Sequence, residues 1–148
     1  MTPLGLTDFK RSPETECRFV MSVTSATLLI AHGSRRPEAN ADLVRLAEML
    51  APHLPGERIE IAYLELAEPT IPEGLSRCLA AGAGRVRMLP YFLSAGAHVT
   101  GDLERFRGEF AARYPDVVFE LCGPLGLHPR IVDIVLDRLG EAAVREER

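Results

Sequence analysis

Two histidines, His32 and His98, each follow a stretch that is typical of a buried strand, and each stands close to a glycine. Residues 27–31 and 86–93 are the apolar stretches, as expected for strands covered on both faces of a parallel sheet. Ligands of open α/β sheets bind beyond the carboxyl ends of the strands, so we expect both imidazoles in one crevice. A neutral imidazole binds divalent transition metals and can also accept a proton near neutral pH. The pair therefore predicts a metal or proton-transfer site, with two loop-fixing histidines as the structural alternative.

A carboxylate and an arginine are expected on the same rim as the histidines. Glu65 follows the second predicted strand, where it is either a third metal ligand, a proton acceptor or a solvated loop charge. Ser34 and Arg35 stand at the entry to a predicted helix, where backbone N–H groups and a guanidinium can bind an anion. A plain turn with solvated arginines is the alternative there. His53 and His128 lie at helix ends, and we expect both to be structural.

Hydrophobic periodicity places four strands and four helices alternately along the chain. The second strand alternates Ile59, Glu60 and Ile61, which is typical of an edge strand. Thr70 and Glu73 form a capping-box pattern before the second helix, and a proline introduces the last one. The predicted order is strand 27–31, helix 40–54, strand 58–64, helix 71–81, strand 86–93, helix 100–114, strand 117–121 and helix 131–143.

The connections between the predicted strands are too long for hairpins, which indicates a parallel sheet with right-handed crossovers. We expect an α/β fold: a three-layer αβα sandwich whose four-stranded parallel sheet has the flavodoxin-like order 2-1-3-4. A single domain is expected over residues 26–144. Residues 1–25 lack periodicity and are expected to be a flexible N-terminal extension, within which Met21 is a second candidate start. Residues 145–148 are expected to be a charged tail.

The composition excludes several classes of function. The chain has 148 residues, a net charge of −4 and no basic block, so nucleic acid is not an expected partner. Its three scattered cysteines form neither a Cys-x-x-Cys site nor a disulfide framework, which fits a reducing compartment. No apolar run reaches the length of a membrane span or a signal-peptide core, so we expect no membrane and a cytoplasmic location. Nucleophile-elbow, Walker and Rossmann patterns are also absent.

As a set, the motifs resemble those of the small sirohydrochlorin chelatases, the short forms of the class II cobalt- and iron-inserting enzymes. The resemblance covers residues 27–139 in the order and spacing of that family. It is carried by His32-Gly33-Ser34-Arg35, Tyr63-Leu64-Glu65, Glu68-Pro69-Thr70, Phe92-Leu93, Gly96-Ala97-His98, Asp102 and Leu125-Gly126-Leu127-His128-Pro129.

The resemblance implies insertion of Co²⁺ or Fe²⁺ into sirohydrochlorin, towards cobalamin or sirohaem. The metal-binding histidines of the family match His32 and His98, and its acidic residue near the metal matches Glu65. Ser34, Arg35 and Gly96 are expected to contact the tetrapyrrole, whose many carboxylates suit an arginine. No cofactor beyond the substrate metal ion is expected. Larger members look like two such units fused, so a homodimer is expected to complete the cavity of this short form.

Three other interpretations stay open at this point. The same fold and residues could insert another metal such as nickel. The affinity of a site for divalent metals follows the Irving–Williams order whatever the protein, and the availability of each metal in the cell decides which one is bound. A carrier could bind metal or tetrapyrrole at the two histidines without turnover. A flavodoxin-like phosphate or cofactor binder would depend on the Gly33-Ser34 turn alone.

Overall fold

The computed structural model describes residues 25–146, with side chains described up to residue 142. Except for Ser25, the predicted N-terminal extension lies outside these residues. The elements in chain order are β1 (Ala26–Ala31), α1 (Pro37–Leu50), a 3₁₀ turn (Ala51–His53), β2 (Arg58–Tyr63), α2 (Ile71–Ala80), β3 (Arg85–Pro90), α3 (Ala97–Arg113), β4 (Val118–Leu121) and α4 (Pro129–Glu146).

The four strands form one parallel sheet in the order β2-β1-β3-β4, which confirms the predicted order and the edge position of β2. β1 pairs with β2 from Ala26 opposite Arg58 to Ala31 opposite Tyr63, and with β3 on its other side. β3 in turn pairs with the short edge strand β4. All four carboxyl ends therefore meet at one edge of the sheet, where the loops that follow the strands lie together.

The sheet has a different cover on each face. On one face, the side chains of Leu28, Ile30, Val86 and Met88 pack with α2 and α3 in a buried core. On the opposite face, Leu29 and residues of β2 pack with Leu43 and other residues of α1. β1 is consequently buried on both faces, as its continuous apolar run predicts.

Capping residues and prolines predict the ends of the helices better than the spacing of apolar residues does. The capping box predicted at α2 is present: Thr70 Oγ1 accepts from the backbone N–H of Glu73, and the Glu73 carboxylate accepts from that of Thr70. α1 begins at Pro37 and not at the predicted residue 40, because proline is favoured in the first turn of a helix. α4 includes the proline that was expected to introduce it: it begins at Pro129, two residues before the predicted start, and continues to Glu146, two residues into the predicted tail. Among residues 25–146 no helix is long and apolar enough to cross a membrane.

One ion pair lies against the sheet on the α1 side. The carboxylate of Glu57 accepts hydrogen bonds from Thr27 Oγ1 and Arg87 Nη2, both at 2.6 Å. Partial burial acts to raise the pKa of Glu57, but the hydrogen bonds from Arg87 and Thr27 outweigh it, and the pKa lies below its usual 4.5. This pair joins β1, the start of β2 and β3, and the hydrophobic pattern gives no sign of it.

Candidate functional site

His32 is the first residue after β1, and its exposed side chain stands at the carboxyl edge of the sheet. Its imidazole stacks on the buried ring of Phe92, with centroids 4.2 Å apart and ring planes inclined by 26°. The backbone beside it continues the β1–β2 pairing, since the N–H of Glu65 donates to the carbonyl of His32 at 3.0 Å. His32 is thus held from both neighbouring strands while its ring stays accessible.

Gly33 explains why the loop after His32 can lie so close to the loop after β2. Its φ is +90°, a conformation that L side chains rarely adopt. A Cβ added at this position would lie 1.8 Å from the carbonyl oxygen of Glu65 and 3.2 Å from the Cβ of Tyr63. The position therefore requires glycine for both backbone conformation and space, and its contact joins the predicted metal-binding loop to the loop that carries Glu65.

The turn at Ser34 is fixed by a side chain from α1. Asn40 accepts from the backbone N–H of Ser34 at 2.9 Å and donates to its carbonyl at 2.8 Å. The hydroxyl of Tyr63 donates to the carbonyl of Asn40 at 2.7 Å, and burial raises the pKa of this tyrosine. The Ser34 hydroxyl accepts from the N–H of Arg36 at 3.0 Å. Two of the backbone N–H groups that suggested an anion site at this turn therefore already have partners.

The position predicted for His98 is wrong in one respect. The sequence pattern places it at the end of a strand, whereas β3 ends at Pro90 and His98 lies in the first turn of α3. α3 begins three residues earlier than predicted, because Gly96 adopts the extended conformation of an N-cap, with φ −70° and ψ 166°. Both His98 and Gly96 are exposed. His98 therefore lies at a helix start, on the segment that follows β3, instead of at a strand end.

The predicted site residues come together to different degrees. His32, Ser34 and Glu65 belong to two loops that are in direct contact, with Arg35 exposed beside them. His98 and Gly96 arrive on the segment after β3, the strand that pairs with β1. Among the side chains described, residues 25–142, no three of histidine, cysteine, aspartate or glutamate are close enough together to hold a metal ion.

Exposed apolar side chains lie along this edge, and the motifs quoted above contain three of them, although their exposure was not expected. They follow three different strands and are more than 40% exposed; we call them the apolar rim: Leu66, Tyr91, Leu93, Leu125 and Leu127. Leu127 is almost fully in solvent. Exposed apolar side chains in one region commonly mark a binding surface. In the sequence, these residues could have been found as apolar side chains that stand shortly after the end of a predicted strand.

The two histidines predicted to be structural lie at helix ends, and His128 directly follows Leu127 of the apolar rim on the loop after β4. His53 ends the 3₁₀ turn after α1 and is exposed. His128 accepts a hydrogen bond at Nδ1 from the backbone N–H of Arg130 at 3.2 Å, so it caps the first turn of α4. This hydrogen bond is consistent with the structural role expected for His128.

The fold and this edge define an α/β domain with an accessible imidazole, a nearby carboxylate and an apolar rim, a combination suited to a metal and a flat apolar ligand. The family model described as CbiX matches residues 26–142. The chain belongs to the CbiX family, which confirms the resemblance drawn from its motifs.

Named relatives are chelatases. The chain is 34% identical over 112 residues to the chloroplastic sirohydrochlorin ferrochelatase of Arabidopsis thaliana, covering 76% of this chain and 50% of that one. It is 31% identical to the sirohydrochlorin cobaltochelatase of Methanocaldococcus jannaschii, covering 76% of this chain and 96% of that one. The chelatase SirB of Bacillus subtilis subspecies spizizenii, solved in complex with cobalt, superposes with a TM-score of 0.74 at 30% identity, over 80% of this chain and 50% of that one. The chain thus spans half or less of the length of several curated relatives, and nearly all of another.

Proposed function

We propose that this protein inserts a divalent metal ion, Co²⁺ or Fe²⁺, into sirohydrochlorin, in the synthesis of cobalamin or sirohaem. The observation that carries the proposal is the exposed imidazole of His32, stacked on Phe92 and backed by Gly33 and Glu65 at the carboxyl edge of the sheet. Family membership and the names of relatives of both lengths support it.

The proposed reaction exchanges two protons for one metal ion. A free tetrapyrrole carries two N–H protons at its centre, and both must leave as the divalent ion enters. His32 and His98 hold the incoming ion through neutral imidazoles, which leaves most coordination positions for water and then for ring nitrogens. The carboxylate of Glu65, on the loop that contacts His32, accepts one departing proton, and water at this exposed edge takes the other. No cofactor besides the substrate metal takes part.

The proposed substrate contacts divide by chemistry. The faces of the macrocycle are apolar and match the apolar rim, whose side chains are otherwise in water. The carboxylates on the ring periphery pair with Arg35, with Ser34 and Gly96 at the turns beside the two histidines. The stack on Phe92 keeps the His32 ring in one orientation, so that the metal is presented to the ring centre instead of being delivered at random.

The proposed working form is a homodimer in the cytoplasm, without nucleic-acid partners. One four-stranded domain presents a single edge of loops, whereas a large flat ring has two faces to cover. A second copy supplies the second wall. A net charge of −4 disfavours binding to nucleic acid.

The test follows insertion of Co²⁺ into sirohydrochlorin by visible absorbance, with metal affinity measured separately by titration. His32→Ala and His98→Ala should each lower affinity for Co²⁺ and reduce turnover at least 100-fold. His53→Ala and His128→Ala are the matched controls: the first should be neutral and the second should act only through stability.

Other outcomes of this assay contradict the proposal in distinct ways. Tight binding of metal or ring without faster insertion would identify a carrier. Faster insertion of Ni²⁺ than of Co²⁺ or Fe²⁺ would reassign the metal. If His98→Ala behaves as wild type while His128→Ala loses affinity and turnover, the second ligand lies on the loop before α4.

A further inference from the structure

The loop that follows β2 contains an unusual backbone conformation at Leu66. Its φ is +64°, and among residues 25–146 it is the one residue other than glycine with a positive φ. An L residue is disfavoured in this left-handed region because its Cβ lies too close to a carbonyl oxygen, whereas glycine adopts the region freely. Residues in such conformations cluster at ligand sites, where the surrounding structure holds them in place. Leu66 directly follows Glu65, the proposed proton acceptor.

Contacts on both sides of Leu66 hold its loop in place. The N–H of Tyr63 donates to the carbonyl of Pro69 at 2.8 Å, which closes the loop. The N–H of Glu65 donates to the carbonyl of His32 at 3.0 Å, and the Glu65 carbonyl lies against Gly33. The chain must therefore turn between Glu65 and Pro69. The turn accounts for the left-handed backbone but not for a leucine, since glycine or asparagine would adopt that backbone at lower cost.

The side chain of Leu66 does not pack in the fold. Leu64 packs against the hydrophobic core on one face of the sheet, and Ala67 packs against the core on the other. Leu66 belongs to neither core and is 56% exposed. Its backbone conformation and its exposure are both unfavourable for an apolar residue in the isolated domain. A ligand that covers the side chain would offset both.

The position of Leu66 relates it to the proposed reaction. Glu65 must lie near the centre of the macrocycle if its carboxylate accepts a proton from a ring nitrogen. The Cα atoms of consecutive residues are about 3.8 Å apart, which is much less than the width of a tetrapyrrole. A ring placed over His32 and Glu65 therefore extends over the next residue of the loop as well.

We propose that Leu66 is a substrate-contact residue, whose side chain packs on the apolar face of sirohydrochlorin beside the carboxylate of Glu65. The proposal rests on the proposed function and deepens it, because it names the side chain of the apolar rim that the backbone presents for this contact. Of the residues in the apolar rim, Leu66 alone has a left-handed backbone. The leucine at this position therefore serves affinity for the ring and not stability of the domain.

The first test measures the dissociation constant for metal-free sirohydrochlorin by absorbance titration. Covering the exposed half of a leucine side chain changes affinity about tenfold. Leu66→Gly and Leu66→Asn, which both suit the left-handed backbone, should therefore weaken ring binding about tenfold. Leu66→Met stays apolar and should keep most of the wild-type affinity. The glycine and asparagine variants should melt at no lower temperature than the wild type, because the backbone is relieved while little packing is lost.

The second test separates a substrate contact from a structural role. A contact that is equally strong in the ground state and the transition state changes KM alone. Leu66→Gly should therefore raise KM for sirohydrochlorin about tenfold and change kcat less than twofold. Its affinity for Co²⁺ in the absence of the ring should equal that of the wild type. Met49→Asn is the matched control: Met49 is apolar and 70% exposed in the last turn of α1, so its replacement should leave ring affinity unchanged.

The outcomes distinguish failure of this contact from failure of the proposed function. If Leu66→Gly binds the metal-free ring as tightly as the wild type, the contact is overturned and the proposed function stands. A lower kcat with unchanged ring affinity would show that Leu66 acts through the position of Glu65, which also overturns the contact. A loss of more than 5 °C in melting temperature for both the glycine and asparagine variants would show that the side chain supports the fold instead. A wild-type chain that neither binds nor metallates sirohydrochlorin would overturn the proposed function and its contact together.

Discussion

Replacing Gly33 by alanine tests whether the loop contact beside His32 positions the site. The new Cβ would lie 1.8 Å from the carbonyl oxygen of Glu65, whereas real Cβ atoms essentially never approach closer than 3.0 Å. The two loops must therefore separate by more than 1 Å. The hydrogen bond from the Glu65 N–H to the His32 carbonyl, now 3.0 Å, cannot survive that shift unchanged. Gly33→Ala should consequently disturb both stability and activity.

The magnitude follows from three contributions. An L residue at the φ of +90° costs about 1–2 kcal/mol, and weakening the hydrogen bond costs about 1 kcal/mol. Displacement of the loops adds more, so we expect a loss of about 3 kcal/mol in unfolding free energy. For a chain of this size that lowers the melting temperature by roughly 6–12 °C. A displacement of about 1 Å at a reacting centre costs about 100-fold in rate.

Gly82→Ala is the matched control. Gly82 has a φ of +84°, but a Cβ there would meet nothing within 4 Å. It should lose only the conformational cost, about 1–2 kcal/mol, and insert metal at the wild-type rate. Urea denaturation and the absorbance assay, run on both variants, separate the two effects. If Gly33→Ala is no worse than Gly82→Ala in either assay, the loop contact does not position His32 and the reasoning fails.

Three further predictions follow from contacts away from the histidines. Asn40→Ala removes both hydrogen bonds to Ser34 and should cost about 1–3 kcal/mol in urea denaturation with slower insertion, whereas Asn40→Asp, which keeps the acceptor, should lose less. Folding lowers the pKa of Glu57, so the ionised carboxylate stabilises the folded state. In urea denaturation, the difference in unfolding free energy between wild type and Glu57→Gln should be complete above about pH 4.5 and disappear as the pH falls below that value. A difference that is unchanged at pH 3 would contradict this. Burial raises the pKa of Cys78 to about 12, so iodoacetamide at pH 8 should alkylate half-buried Cys122 first, as peptide mass mapping would show; equal labelling would argue against it.

Prediction from the sequence worked best where a local pattern has one structural outcome. The apolar run of β1 requires burial on both faces, and the alternation in β2 requires an edge; both are confirmed. The capping box of α2 is confirmed because its two hydrogen bonds involve residues only three positions apart. Glu60 is a partial exception: although it alternates with apolar residues, it is buried, and Arg58 neutralises it at 2.6 Å.

Prediction was weakest at the start of α3. The apolar residues Leu103 and Phe110 fix the middle of that helix and its buried face, but the first turn contributes only half-buried Val99 to the core. Its start depends on the backbone conformation of Gly96, which periodicity does not report. His98 was therefore assigned to a strand end when it lies in a helix. Its proposed part in metal binding is a prediction that the histidine variants test.

The sequence by itself determined the order of the elements, the parallel sheet, and the position of His32 at its carboxyl edge, because each depends on residues close together in the chain. Only the tertiary structure decided what surrounds that histidine. The stack on Phe92, the contact of Gly33 with Glu65 and the link from Tyr63 to Asn40 join residues more than 20 positions apart. The last helix is a similar case: the sequence predicts α4, but only the structure shows that its apolar residues Val132, Val135, Leu136 and Leu139 are exposed.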